Sequence, residues 1–332
     1  MNLARLAVWF GENVPGSSRS LTTSMIVGGR SNLTYEVRDE MGERWVLRRP
    51  PSRGLVGSAH DVIREFRILS ALQEREVPIP QVLGACEDDS VIGAPFYVMR
   101  FVEGLVLRTT TDAQRLLPDA RRSASANAVR ALAAIHAIDF EAVGLGGLSK
   151  RSGYLERQLR TWHRQWTQLH VSDGVLVEEV LRLLRNRIPK QTTTTLVHGD
   201  FRIDNLVLGE DGDVRAVLDW ELSTLGDPLA DLGLLLVYWI GPGDHLQPLP
   251  SPPTAAPDFL TKDEILSLYA EITGRSVSEI STYVAFSYWK LAVVLEGVTA
   301  RMRQGAYGQL DFEDFTEVAE QLLIASSILL AD

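Results

Sequence analysis

The run Leu196-Val197-His198-Gly199-Asp200-Phe201-Arg202-Ile203-Asp204-Asn205-Leu206-Val207-Leu208 decides how this chain is read. After an Asp211-Gly212 turn comes Val214-Arg215-Ala216-Val217-Leu218-Asp219-Trp220-Glu221. Two short apolar segments around an Asp-Gly turn predict a β-hairpin. A hairpin brings its two ends together, so Asn205 at its start and Asp219 at its end become neighbours. Asp200 lies in a short loop just ahead of them. Single Asp and Asn residues are commonly exposed turn residues, but three fixed around one hairpin between apolar strands point to chemistry. Phosphoryl transfer needs this set, because its catalysis is mostly positioning and charge neutralisation. One carboxylate must stand beside the attacking hydroxyl, and hard oxygen ligands must hold Mg2+ against the phosphates. The pattern therefore predicts Asp200 as catalytic base and Asn205 and Asp219 as ligands of Mg2+.

Composition narrows the alternatives. The chain has 332 residues, 45% of them apolar, and a formal net charge of -10. That length favours two lobes over one core, and the acidic balance argues against a nucleic-acid partner. Cys86 is the sole cysteine, so no internal disulfide is expected. The start of the chain lacks the basic and long apolar regions of a signal peptide. The longest apolar run, 232–240, is too short for a bilayer, which needs about 20 residues. A cytoplasmic protein without a membrane partner is the expectation.

Along the chain, 24–27, 33–37 and 44–48 read as an antiparallel meander, ended by Pro50-Pro51. A helix is predicted over 60–75 from Val62, Phe66, Leu69 and Leu72, then strands over 82–85 and 96–101. Helices are predicted over 126–138, 153–169 and 175–187, and again over 231–239, 262–272, 277–297 and 312–330. The Pro-rich stretch 242–257 reads as an exposed loop. The expected fold class is α+β, with a strand-rich lobe over 1–104 and a helical lobe over 105–332. The first lobe holds 12 Arg against 13 acidic residues and no lysine. The four lysines are Lys150, Lys190, Lys262 and Lys290.

The segment 196–233 resembles the aminoglycoside phosphotransferase and choline kinase superfamily, a relative of the protein kinases. His198-Gly199-Asp200 is the variant of its small-molecule branch. Asp219 is followed by Trp220-Glu221 rather than by the Phe-Gly of protein kinases. Gly226-Asp227-Pro228-Leu229-Ala230-Asp231 follows closely, as in this superfamily. The resemblance implies a protein-kinase-like two-lobed fold and transfer of the γ-phosphate of ATP, with Mg2+, to a small-molecule hydroxyl. It also implies that His198 braces the loop and that Asp227 and Asp231 cap a helix and tie the loop down. A nucleotide-binding module without turnover, a pseudokinase, is the alternative.

The same resemblance fills in the nucleotide lobe. Gly28, Gly29, Ser31 and Asn32 stand where a glycine-rich turn covers phosphates. Arg48 stands where a strand lysine is usual, and Glu65 is its expected helix partner. Arg49, on the opposite face of the strand, is not in reach. Met99 would sit behind the adenine, with backbone groups of Arg100 and Val102 at its edge.

For the acceptor, two features conflict. The helical lobe is acidic, which suits a cationic substrate. Arg157, Arg160 and Arg164 share one helical face near Arg151, which suits an anion, although a solvated face gives the same stripe. The runs 46–51, 154–166 and 218–222 resemble the phosphotransferase module fused to acyl-CoA dehydrogenases, which implies hydroxyacyl acceptors beside aminoglycoside-like ones. Protein partners are left open.

Overall fold

The computed structural model describes residues 1–18, 20–26, 32–51, 61–169, 174–248, 250–303 and 314–331. It opens on a helix absent from the sequence expectations, α1 (Leu3–Asn13), whose Asn2 side chain accepts from the Arg5 N–H at 3.1 Å. Three strands follow: β1 (Leu21–Met25), β2 (Leu33–Asp39) and β3 (Arg44–Arg49). After α2 (Val62–Leu72) come β4 (Val82–Cys86), the short α3 (Asp89–Ile92) and β5 (Phe96–Arg100). The five strands form one antiparallel sheet in the order β1-β2-β3-β5-β4.

Strand alternation decides what each face of this sheet does. Trp45 and Leu47 point to one face, where Leu6, Trp9 and Phe10 of α1 cover them. Phe10 meets Trp45 edge-on at 5.5 Å, and Trp9 meets Phe96 at 4.8 Å. Val46 points to the other face, with Tyr97 and Met99, where Ile68 and Leu69 of α2 pack. Arg48 shares the Val46 face and Arg49 the Trp45 face. Arg49 accordingly reaches the Ile92 carbonyl at 3.1 Å.

The helical part begins with α4 (Thr110–Ala113) and α5 (Pro118–Ala137), then α6 (Tyr154–Leu169) and α7 (Val175–Arg187). Next come β6 (Thr195–Val197), β7 (Leu206–Leu208), β8 (Val214–Val217) and β9 (Thr224–Gly226). The remaining helices are α8 (Pro228–Tyr238), α9 (Lys262–Thr273), α10 (Ile280–Arg303) and α11 (Thr316–Ala331). The hairpin β7–β8 pairs Leu206 with Val217, and β6 pairs with β9. The result is the expected α+β, two-lobed arrangement. One apolar cluster runs through both lobes, from Leu69 and Met99 to Leu196, Trp220 and Leu235.

Gly104 lies between β5 and the first helix that follows it, α4 (Thr110–Ala113). A Cβ there would sit 2.5 Å from the Leu208 carbonyl oxygen, so only glycine allows Leu105 to bridge Leu208. The stretch 242–257 departs from expectation. Pro252, Pro253, Thr254 and Ala256 are buried, and Thr254 accepts from the Ile240 N–H at 2.9 Å.

Candidate active site

The parity of β3 sends Arg48 towards α2, where Glu65 occupies the buried face. Arg48 Nε is 3.3 Å from Glu65 Oε2, and its Nη2 is 2.9 Å from Asp219 Oδ1 and 3.7 Å from Glu221 Oε2. Glu65 is 1% exposed, and its other oxygen accepts from the Trp220 N–H at 3.2 Å. One buried carboxylate thus binds α2 to the segment following β8. Burial raises the Glu65 pKa, against the pull of Arg48. Burial opposes the Arg48 charge, but Glu65, Tyr97 and Asp219 around it more than compensate, and its pKa is raised. The guanidinium stays charged.

Asp219 has φ 67 and ψ 61, the left-handed region that non-glycine residues rarely occupy. It is held there from the preceding residue. The Leu218 N–H donates to the Asn205 carbonyl at 2.8 Å, and His198 Nε2 donates to the Leu218 carbonyl at 2.9 Å. The hairpin therefore brings Asn205 and Asp219 to one end, as its spacing predicts. The Asn205 amide donates to the Asp200 carbonyl at 2.8 Å and to Asp200 Oδ2 at 3.2 Å. Its Oδ1 has no hydrogen-bond partner among the described residues.

The loop before Asp200 is fixed from below. Asp231, in the first turn of α8, accepts from the His198 N–H at 2.6 Å and the Gly199 N–H at 2.8 Å. His136 Nε2 lies 3.3 Å from Asp231, while its Nδ1 faces the Tyr269 hydroxyl at 2.8 Å. Burial lowers the His136 pKa despite that carboxylate. Asp231 is opposed by burial too, but its hydrogen bonds with His136 and the backbone bring its pKa down. Asp227 caps α8 through the Leu229 N–H at 3.1 Å and accepts from the Tyr283 hydroxyl at 2.7 Å.

Several site residues were not anticipated from sequence. Arg202 Nε lies 3.5 Å from Asp200 Oδ2 and 3.2 Å from Asp204 Oδ1, and its guanidinium stacks over Tyr238 at 4.8 Å. Arg64 donates to the Glu221 carbonyl at 3.2 Å and to the Ser223 carbonyl, so α2 holds this segment at two more points. Glu221 and Lys290 complete the group. Arg202 and Glu221 each stand two residues beyond an expected site residue, and Lys290 is one of only four lysines. Those were the available signals.

Other expectations are met unevenly. Gly28, Gly29 and Ser31 lie outside the described residues. Asn32 is buried, and its amide donates to Glu221 Oε2 at 3.0 Å rather than lying open, while its Oδ1 has no partner among the described residues. Met99 is buried on the α2 face of the sheet, opposite Val46. The Arg100 N–H is taken by the Gln81 carbonyl at 2.8 Å, which leaves only its carbonyl for a base edge. The Val102 N–H has no partner among the described residues. The arginine stripe is divided. Arg157 donates to the Ser152 and Leu225 carbonyls, and Arg160 and Arg164 are exposed.

The donor set fits a nucleotide with a hard divalent cation. Asp219 and the Asn205 Oδ1 are oxygen ligands of the kind Mg2+ takes alongside phosphates. Among the described residues Arg48 Nε and Glu65 Oε2 make no hydrogen bond and face each other as an ion pair at 3.3 Å, which fixes the guanidinium beside Asp219. Among the described residues, no helix is long and apolar enough to cross a membrane.

Comparison with known proteins identifies the family. A profile described as "Phosphotransferase enzyme family" matches residues 22–255. Acyl-CoA dehydrogenase family member 10 of Mus musculus is 37% identical over 282 residues, 83% of this chain and 26% of that protein. Acyl-CoA dehydrogenase family member 11 of Gallus gallus is 34% identical over 317 residues, 91% of this chain and 40% of that protein. The chain thus spans between a quarter and two-fifths of these relatives. A crystal structure from Ralstonia eutropha, named as an aminoglycoside phosphotransferase, superposes with a TM-score of 0.82 at 29% identity, covering 98% and 97% of the two chains. The GDP complex of aminoglycoside 2'-phosphotransferase-IIIa shares the fold at a TM-score of 0.63, with 16% identity and 99% of each chain covered. With a family match over most of its length and relatives above 30% identity, this chain belongs to the phosphotransferase enzyme family.

Proposed function

We propose that this protein transfers the γ-phosphate of ATP, with Mg2+, to a hydroxyl of a small molecule. The observation that carries the reading is the convergence of Arg48, Glu65 and Asp219 at one end of the β7–β8 hairpin, with Asn205 bonded to Asp200 at the same end. Distant neighbours support nucleotide use, since solved structures of this fold include complexes with GDP, ADP and AMP-PNP. When bound, the nucleotide and its metal supply the phosphoryl group and neutralise its charge. Arg48, fixed by Glu65, would hold phosphate oxygens, and Asp219 with Asn205 would hold the metal. Asp200, its carboxylate oriented by Asn205 and Arg202, would take the proton of the attacking hydroxyl.

For the acceptor we favour a hydroxyacyl compound. Relatives 37% and 34% identical carry the name acyl-CoA dehydrogenase family member, and the positive charges of Arg202, 3.5 Å from Asp200, and of Lys290, on the Gly199 carbonyl, disfavour a polycation there. The test is ATP consumption measured against aminoglycosides, choline-like amines, sugars and hydroxyacyl thioesters, with Asp219→Ala as control. Turnover with hydroxyacyl thioesters that disappears in the control is expected. Turnover with amines alone would reject the acceptor class, and none with any acceptor would reject the kinase reading. A nucleotide-binding module without turnover draws support from the lysine-free first lobe and from the 2.9 Å pairing of Arg48 with Asp219. A thermal shift with ATP and Mg2+ but no turnover is its signature.

A further inference from the structure

We propose that Lys290, on α10, is a positioning residue for the base Asp200, acting through the peptide that joins Gly199 to Asp200. The inference rests on the phosphotransfer reading. Lys290 Nζ donates to the Gly199 carbonyl at 3.1 Å, and its ammonium lies 5.4 Å from the centre of the Trp162 ring. The same peptide carries the Asp200 N–H, which donates to His198 Nδ1 at 3.3 Å. The Gly199 N–H is already taken by Asp231 at 2.8 Å. The two peptides of Gly199 are therefore pinned from two helices, α8 at the N–H and α10 at the carbonyl. Orienting the second peptide fixes the direction in which the Asp200 side chain leaves the backbone.

Glycine makes this clamp necessary. Gly199 has φ 85, and a Cβ there would lie 2.6 Å from the Leu222 carbonyl. A glycine carries the greatest backbone freedom of any residue, so the loop ahead of the base is the part most in need of restraint. Lys290 is also costly in a way that calls for a role. It is half-buried, and burial pushes its pKa down. Among the described residues no carboxylate lies within 4 Å of its ammonium. Asp200 and Asp231 act on it only from a longer distance. The other lysines differ. Lys262 pairs with Asp244 at 2.8 Å, and Lys150 and Lys190 are exposed. A charge held near a base by one carbonyl and one aromatic face is not explained by surface solubility.

The test compares Lys290→Met, Lys290→Gln and Lys290→Arg with the parent, in the full chain. Amide hydrogen exchange is read at Gly199 and Asp200 alongside kcat and the KM for ATP with whichever acceptor supports turnover. For Lys290→Met we expect faster exchange confined to that loop and a fall in kcat of about 10- to 100-fold, the scale of a misplaced reacting group. KM for ATP should stay within about twofold, because phosphate contacts are untouched. Lys290→Arg, which keeps a charged donor, should recover most of both properties. Unchanged exchange at Gly199 and Asp200 overturns the proposal, as does a normal kcat in Lys290→Met. If neither Met nor Gln at this position gives folded protein, the residue is structural and the proposal also fails. A parent that turns over no acceptor rejects the phosphotransfer reading, and loop exchange then decides the positioning role alone.

Discussion

Arg48 gathers three carboxylates around one guanidinium, at 3.3, 2.9 and 3.7 Å. An arginine offers a fork of donors where a lysine offers a point charge, which lets one side chain hold Glu65 and Asp219 at once. Arg48→Ala should raise the KM for ATP and lower kcat, and Arg48→Lys should rescue only part. Glu65→Ala should cost less once Arg48 is gone, because part of what the carboxylate does is hold that partner, while its bond from the Trp220 N–H is lost in either background. A double-mutant cycle on kcat/KM measures this, and strict additivity would separate the two residues. Asp200 is a different case, since it keeps its partners Asn205 and Arg202 if only its charge is removed. Asp200→Asn should lower kcat by at least about 100-fold, the usual scale of general-base loss, with ATP affinity nearly unchanged. Lost ATP binding with normal kcat would reassign it.

At the scale of elements, the β7–β8 hairpin and the β6–β9 pair do the positioning. The strands β6, β7 and β8 were legible because Leu196, Leu206 and Val217 belong to short apolar runs bounded by turn residues, and the site followed from where those strands end; β9 was not. The Arg48–Glu65 pair was legible for a similar reason, since strand parity and helix spacing each select one face. Helix α1 was not legible: its eleven residues carry no acidic first turn or basic last turn, and its role depends on a sheet formed later in the chain. Nor was the direction of Asn32, whose amide turns towards Glu221 across 189 residues, a contact no local pattern encodes. The half-buried loop 242–257 belongs with these, because proline content signals irregular backbone but not exposure. Gly199 gives this scale its prediction. Gly199→Ala forces a side chain into a left-handed conformation and against the Leu222 carbonyl at 2.6 Å. The loss should be about 1–3 kcal/mol of stability, the typical cost of such strain. Urea unfolding measures it, and a variant as stable as the parent would show that the loop relaxes without cost.

Across the whole molecule, the base is tied to the far side of the helical lobe by one buried polar chain. Tyr269 on α9 faces His136 on α5, His136 faces Asp231 on α8, and Asp231 holds the backbone of His198 and Gly199. The tyrosine hydroxyl can donate to Nδ1 and Nε2–H can donate to the carboxylate, so the arrangement suits the neutral imidazole with its proton on Nε2. Burial keeps it neutral, lowering its pKa below the ordinary value. In the unfolded chain the imidazole takes a proton near about pH 6.5. In the folded chain it does so only at lower pH. Between those two values the unfolded state binds more protons, so stability falls as pH falls and is regained as pH rises. The expected outcome is an acid-side loss of stability beginning near pH 6.5 in the parent. His136→Gln keeps polar atoms in place but cannot titrate, so its stability should be lower at neutral pH and should vary less between pH 7.5 and 5.5. Urea unfolding of both proteins across that range isolates the contribution of this residue from the other titrating groups. Parallel curves would mean that His136 binds its proton equally in both states, and that the link from α9 to the loop does not depend on the neutral ring.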